Sequence, residues 1–146
     1  MKRFRFRFTA VKNQRQVILD QKLAKKAAVL AELNQAIAER QHLEGLYEAT
    51  LRGGPAVGEL FNSQRETWRQ LRLFSLREEI TGSEQKIALL EKRLAEVQEE
   101  VTEAHRDLKA MEVIEKKDKE AWRHEFRIHQ QKETDEINTT RYGRST

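Results

Sequence analysis

Cysteine is absent from this sequence, proline occurs once and glycine six times in 146 residues. The first absence excludes disulfides and thiolate metal sites. The scarcity of helix breakers, with 38% hydrophobic and 36% charged residues, argues against an ordinary compact domain and for long helices. No apolar run is long enough for a membrane span, and the basic first residues lack the apolar segment of a secretory signal. A soluble, cytoplasmic protein is therefore expected. Also missing are HExxH, CxxC, a phosphate-binding glycine loop and a nucleophile elbow, and His42, His105, His124 and His129 show no i, i+4 spacing with one another. Acids such as Glu96 and Glu100 read as a solvated helix face. No catalytic residue, metal site or cofactor is expected, and the chain does not read as an enzyme.

What is present is a heptad repeat between Leu73 and Trp122. Counting in sevens gives Leu73, Ile80, Ile87, Leu94, Val101 and Leu108, then Glu115 and Trp122; three residues on run Leu76, Ser83, Leu90, Val97, Ala104 and Met111. Apolar positions alternating three and four apart make one stripe along a helix, and such a stripe requires a partner. Residues 10 to 51 supply a second helical stretch rich in Ala, Leu, Lys, Glu and Gln. Its best stripe runs Leu23, Leu30, Ile37 and Leu51, with Leu19, Leu33 and Tyr47 completing it, while Lys26, Arg40 and Glu44 interrupt it.

Arg52 to Gly58 is the only cluster of breakers, and one short turn between two helical patterns predicts an αα-hairpin. The expected architecture is all-α: a long two-helix antiparallel coiled-coil hairpin with an overhanging C-terminal helix. It forms a single coiled-coil unit over 1–146, with helix 1 over about 9–52, a turn at 53–58, helix 2 over about 59–138, starting near Glu59 or Asn62 (roughly 115 Å at 1.5 Å per residue), and a polar tail at 139–146. Thr81-Gly82-Ser83 is its weakest stretch, since Gly82 costs about 1 kcal/mol relative to Ala and Ser83 places a hydroxyl on the stripe. A turn centred between residues 55 and 56 puts Leu23 near Ile87 and Leu90, Ile37 near Leu73 and Phe74, and Leu51 near Leu60 and Phe61. Charge agrees with this orientation: residues 1–26 hold nine Lys or Arg and one acid, against seven acids and five bases in 85–112.

The same pairing leaves helix 2 without a partner just after Met111. Glu115 and Asp118 would then be unpaired stripe positions, and Trp122 and Phe126 a docking surface, unless they pack on the N-terminal arm. That arm, Lys2-Arg3-Phe4-Arg5-Phe6-Arg7-Phe8, alternates basic and aromatic residues. It can stack on nucleic acid, dock on a membrane or protein, or pack its phenylalanines on the neighbouring helix.

The arm with Val11, the Trp68 to Phe74 stretch and the segment Gln131-Lys132-Glu133-Thr134-Asp135-Glu136-Ile137 resemble the FliJ family of flagellar type III export proteins. The resemblance spans nearly the full length. It implies a non-enzymatic central stalk that binds the hexameric flagellar export ATPase and the cytoplasmic domain of the membrane export gate, promotes ATPase activity and export, and escorts export chaperones. Such a protein sits in the cytoplasm at the membrane base of the export apparatus, touches the membrane only through partners, binds no nucleic acid and is monomeric alone. Carried onto this chain, Gln131, Lys132, Asp135 and Glu136 belong to the ATPase-facing end, and Trp68 and Phe74 to the gate-facing half, with Leu43 and Tyr47 by a looser match. The expected overhang adds Trp122, Arg123, Phe126 and Arg127 to the ATPase-binding set. Three rivals stand beside this reading: the equivalent stalk of a virulence-type secretion system, a scaffolding coiled coil that dimerises through the overhang, and a nucleic-acid-binding protein.

Overall fold

The computed structural model describes residues 2–55 and 57–144. It contains two long helices packed against each other, α1 (Thr9–Arg52) and α2 (Ser63–Arg144), and no strand among the described residues. The chain forms two compact units, 22–101 and 1–21 with 102–146. In a two-helix layer each turn touches only the turns opposite, so nothing distant in sequence ties the whole into one core.

Helix boundaries follow from local chemistry. Asn62 caps α2: its Oδ1 accepts the backbone N–H groups of Gln64 at 3.1 Å and Arg65 at 3.2 Å. The helix therefore begins at Ser63, in line with the later of the two expected starts, Asn62, and not with Glu59, and the connection has ten residues instead of six. At the other end α2 runs to Arg144, through most of the segment expected to be a polar tail. Thr139 and Thr140 donate their hydroxyls to the carbonyls of Asp135 and Glu136, both at 2.8 Å, so these poor helix formers are satisfied inside the helix. Arg141 and Arg144 in the last turn suit its negative end.

In the 22–101 unit the α2 stripe lies where its heptads place it. Leu73, Leu76, Ile87, Leu90 and Val97 are buried, Leu76 completely. The α1 stripe does so only in half: Leu33 is buried and Tyr47 half-buried as expected, but the Leu23 series is not the seam. Val29 and Ala36 are exposed by only 2% and 1%, whereas Leu23, Leu30, Ile37 and Leu51 keep 36–47% of their surface. The seam runs Lys22, Val29, Ala36 and Leu43, one residue before the predicted series, with Lys26, Leu33, Arg40 and Tyr47 as its other half. The short side chain of Ala36 lets the helices approach, while Lys22 and Arg40 lay their stems along the seam and keep their charges at its edge. Register differs as well: Ile87 and Leu90 cluster with Leu33 and Ala36, not with Leu23. The longer connection lets the first turns of α2 pass the end of α1, which slides every later pairing.

Cross-helix ion pairs fix that register. Lys22 and Lys25 both reach Glu100 (3.4 and 3.1 Å), Arg40 reaches Glu84 (3.5 Å), and Lys86 approaches Glu39 at 4.0 Å. Hydrogen bonding from Lys25, and then Lys22, holds the Glu100 carboxyl below its ordinary range. These groups are partly exposed, so the pairs specify alignment more than they stabilise it. The seam has one flaw: the Ser83 hydroxyl is buried and has no hydrogen-bond partner among the described residues.

Candidate partner-binding surfaces

In the unit made of 1–21 and 102–146, the arm is extended up to a turn at Arg7 and Phe8, and Thr9 closes it by donating to the Phe6 carbonyl at 2.7 Å. Period-two alternation puts Phe4 and Phe6 inward and leaves Arg3 and Arg5 exposed. Phe6 is buried beside Phe8, their ring centroids 5.9 Å apart in an edge-on arrangement. Phe4 meets Trp122 at 5.9 Å, and Trp122 donates its indole N–H to the Lys2 carbonyl at 3.3 Å. Trp122 in turn stacks on Phe126 at 5.2 Å with the rings 20° from parallel.

Part of the expected overhang is therefore paired. Asp118 bonds Arg7 at 3.3 Å, Glu115 pairs with Lys12, and Arg15 donates to the Asp107 carbonyl at 2.7 Å. The loss of partner expected after Met111 does not occur there, because the sliding of register and the extended arm together carry N-terminal residues as far as Trp122. Trp122 and Phe126 are half-buried, and of the rings that nucleic-acid stacking would need, Phe4 packs on Trp122 and Phe6 is buried.

Every residue from Arg127 to Arg144 is exposed. Gln131 and Asp135, and Lys132 and Glu136, lie four apart on adjoining strips of α2, and among the described residues none of their side chains bonds to another side chain. His129 and Glu133 do pair, at 3.5 Å. Arg123 and Arg127 are exposed on the turns between the aromatic stack and this segment. The eight residues expected at the ATPase-facing end thus divide into a packed aromatic pair and six exposed polar residues.

The four residues expected to face the gate also divide. Leu43 and Tyr47 belong to the α1 seam, and the Tyr47 hydroxyl accepts a 2.8 Å hydrogen bond from Arg77, whose guanidinium stands 5.6 Å from the ring. Trp68 and Phe74 lie on the outer side of α2, 67% and 62% exposed. Leu71, between them in sequence, is 57% exposed and completes an outer stripe; its spacing of three from Trp68 and Phe74 was the signal available for it in the sequence.

Arg69 ties this end together. Its guanidinium donates to the carbonyls of Thr50 (3.4 Å) and Leu51 (3.2 Å), which the end of α1 leaves without helical partners, and forks onto Glu66 at 2.8 and 3.0 Å. The pair holds the Glu66 carboxyl below, and the Arg69 guanidinium above, their ordinary values, the mutual hydrogen bond being the main cause of each. Gly54 lies beneath it, where an added Cβ would stand 3.4 Å from the guanidinium carbon.

These elements define an all-helical chain whose exposed apolar and polar surfaces suit contacts with other proteins. The chain belongs to the flagellar FliJ protein family, whose pattern it matches over residues 4–146. No curated protein and no solved structure matches it. No helix among the described residues is long and apolar enough to cross a membrane.

Proposed function

We propose that the chain is a non-enzymatic central stalk of the bacterial flagellar type III export apparatus. It is an antiparallel coiled-coil hairpin whose C-terminal helix runs on past its partner, monomeric alone and free of cofactor. It works in the cytoplasm at the base of the export apparatus, where it binds the hexameric export ATPase and the cytoplasmic domain of the export gate, promotes ATPase activity and serves export, with unloaded export chaperones as further cargo.

The observation that carries this reading is the helical segment from Arg127 to Arg144, exposed all round. A helical segment this exposed and this rich in charged residues gains little from intramolecular packing, and its stability is better accounted for by a partner. Gln131, Lys132, Asp135 and Glu136 offer that partner two donors and two acceptors on adjoining strips. The packed pair Trp122 and Phe126 anchors the base of the segment, with Arg123 and Arg127 beside it. Trp68 and Phe74 are the exposed candidates for the gate; Leu43 and Tyr47, held in the seam, shape that surface from behind.

The test is stimulation of the hexameric export ATPase by full-length protein carrying Gln131→Ala, Lys132→Ala, Asp135→Ala and Glu136→Ala together, since alanine keeps the helix. Stimulation should fall severalfold with the circular dichroism unchanged. Full stimulation by the quadruple variant refutes the assignment of this end. Pull-down by the gate domain should be lost in Trp68→Ala/Phe74→Ala.

A further inference from the structure

The connection before α2 and the outer face of its first turns carry apolar side chains that nothing in the 22–101 unit covers. Val57 and Leu60 are fully exposed, Phe61 is 69% exposed, and Trp68, Leu71 and Phe74 are all more than half exposed. At about 100° per residue, Trp68, Leu71 and Phe74 project from the side of α2 opposite its seam; Leu73 and Leu76 on the seam side are 7% and 0% exposed.

Positive charge is concentrated at the same place. Between residues 52 and 74 four arginines face two glutamates, and Glu66 is already bound by Arg69. The unit as a whole is not cationic: residues 22–101 hold 12 Lys or Arg against 13 Asp or Glu. Arg65, Arg69 and Arg72 line one hollow together with Leu60, Phe61 and Trp68, and outnumber the two carboxylates there, Glu59 and the Arg69-bound Glu66. Guanidinium groups, an indole and aliphatic side chains around one space are the composition of an interfacial anchor, in which rings and aliphatic groups enter the headgroup layer and arginines bind phosphates.

We propose that this surface docks on an anionic lipid bilayer, with Leu60, Phe61 and Trp68 entering the interface and Arg65 and Arg72 engaging the headgroups. The proposal does not rest on the export reading, and its lipid contact at Trp68 competes with the gate contact proposed for that residue above. A protein partner for these residues would be expected to present carboxylates to the arginines and a preformed apolar recess to Trp68. A lipid surface supplies both chemistries without a matching shape.

The experiment is flotation of the full-length protein with vesicles of phosphatidylcholine containing phosphatidylglycerol, against phosphatidylcholine alone. It is paired with the emission of Trp68 in an otherwise intact Trp122→Phe chain. Binding should require the anionic lipid, shift Trp68 emission to the blue, weaken with salt and fall roughly fivefold for each of Arg65→Gln and Arg72→Gln. Phe61→Ser should lower it by about tenfold. The cationic arm is the internal control. Binding that leaves Trp68 emission unmoved, or that survives these changes and is lost in Arg3→Gln/Arg5→Gln, overturns the proposal. So does a chain that ignores vesicles and captures a purified gate domain through Phe61 and Arg65.

Discussion

Replacing Ser83 by alanine should make the 22–101 unit more stable, although it removes a polar group from a highly polar protein. The Ser83 hydroxyl is buried on the seam, four residues before Ile87 and seven after Leu76, and has no hydrogen-bond partner among the described residues. A buried, unsatisfied hydroxyl costs about 1–3 kcal/mol. Alanine deletes that cost and adds a few tenths of a kcal/mol of helix propensity. The atom lost is small, so the cavity left behind returns well under 1 kcal/mol of destabilisation (about 24 cal/mol per Å3). The net expectation is about 1–2 kcal/mol of stabilisation. Gly82 next to it has nothing within 4 Å of an added Cβ, so Gly82→Ala should contribute a further ~0.5–1 kcal/mol through backbone entropy. The two changes act through different terms and should add to within about 0.5 kcal/mol. Urea denaturation followed by circular dichroism reads both as a raised midpoint at constant slope. An unchanged or lowered midpoint for Ser83→Ala would mean that the hydroxyl is satisfied, and the argument for a defect in the seam would fail.

Arg69→Ala should lower the urea midpoint, since it strips the guanidinium from the carbonyls of Thr50 and Leu51 and unpairs Glu66; Arg69→Lys should recover only part in the same assay, because an ammonium cannot reproduce the fork. Glu66 and Glu100 have lowered carboxyl pKa values in the folded chain, so the stability they contribute is fully present above the ordinary value of 4.5 and is lost as pH falls through the folded values. Glu100→Gln should therefore flatten the decline of the urea midpoint below pH 4.5, and an acid limb identical to that of the parent would count against the pairing with Lys22 and Lys25. Trp122→Ala removes both ring contacts of a half-buried indole and should release the arm, raising the rate of tryptic cleavage at Arg3, Arg5 and Arg7 severalfold while Phe126→Leu changes it less.

The α2 stripe was legible in the sequence because Leu and Ile recur at strict spacings of three and four, and no other helix face competes with it. Half of the α1 stripe, with Leu19, Leu33 and Tyr47, was legible too, and the other half was misread by one residue for an equally physical reason. Leu23, Leu30 and Ile37 outrank Lys22, Val29 and Ala36 in hydrophobicity, but packing favours the short side chain at the point of closest approach and tolerates long cations whose heads reach the edge. Register depends on the length of the connection, and the Asn62 cap that sets it is a local signal easily passed over beside Gly53, Gly54 and Pro55. Glu115 and Asp118 looked unpaired because sequence pairing ended at Met111; Lys12 and Arg7 reach them only once the register is known. The exposed set Gln131, Lys132, Asp135 and Glu136 was visible only through family resemblance, since nothing in its charge pattern separates it from any solvated helix.

The ion pairs along the seam have a directional consequence. If α2 slid by one heptad so that Arg93 took the place of Glu100 and Arg77 the place of Glu84, Lys22 and Lys25 would face Arg93, and Arg40 would face Arg77. Like charges block that slip even though the apolar repeat would accept it. In the opposite direction the charges offer no resistance, for Asp107 and Glu91 would stand where Glu100 and Glu84 do. There the stop is Arg69: Leu76 would come opposite Thr50, and the last carbonyls of α1 would lose the guanidinium that caps them. A repeat that by itself permits sliding is thus locked by two unlike stops, one electrostatic and spread along the helices, the other a single guanidinium at the connection.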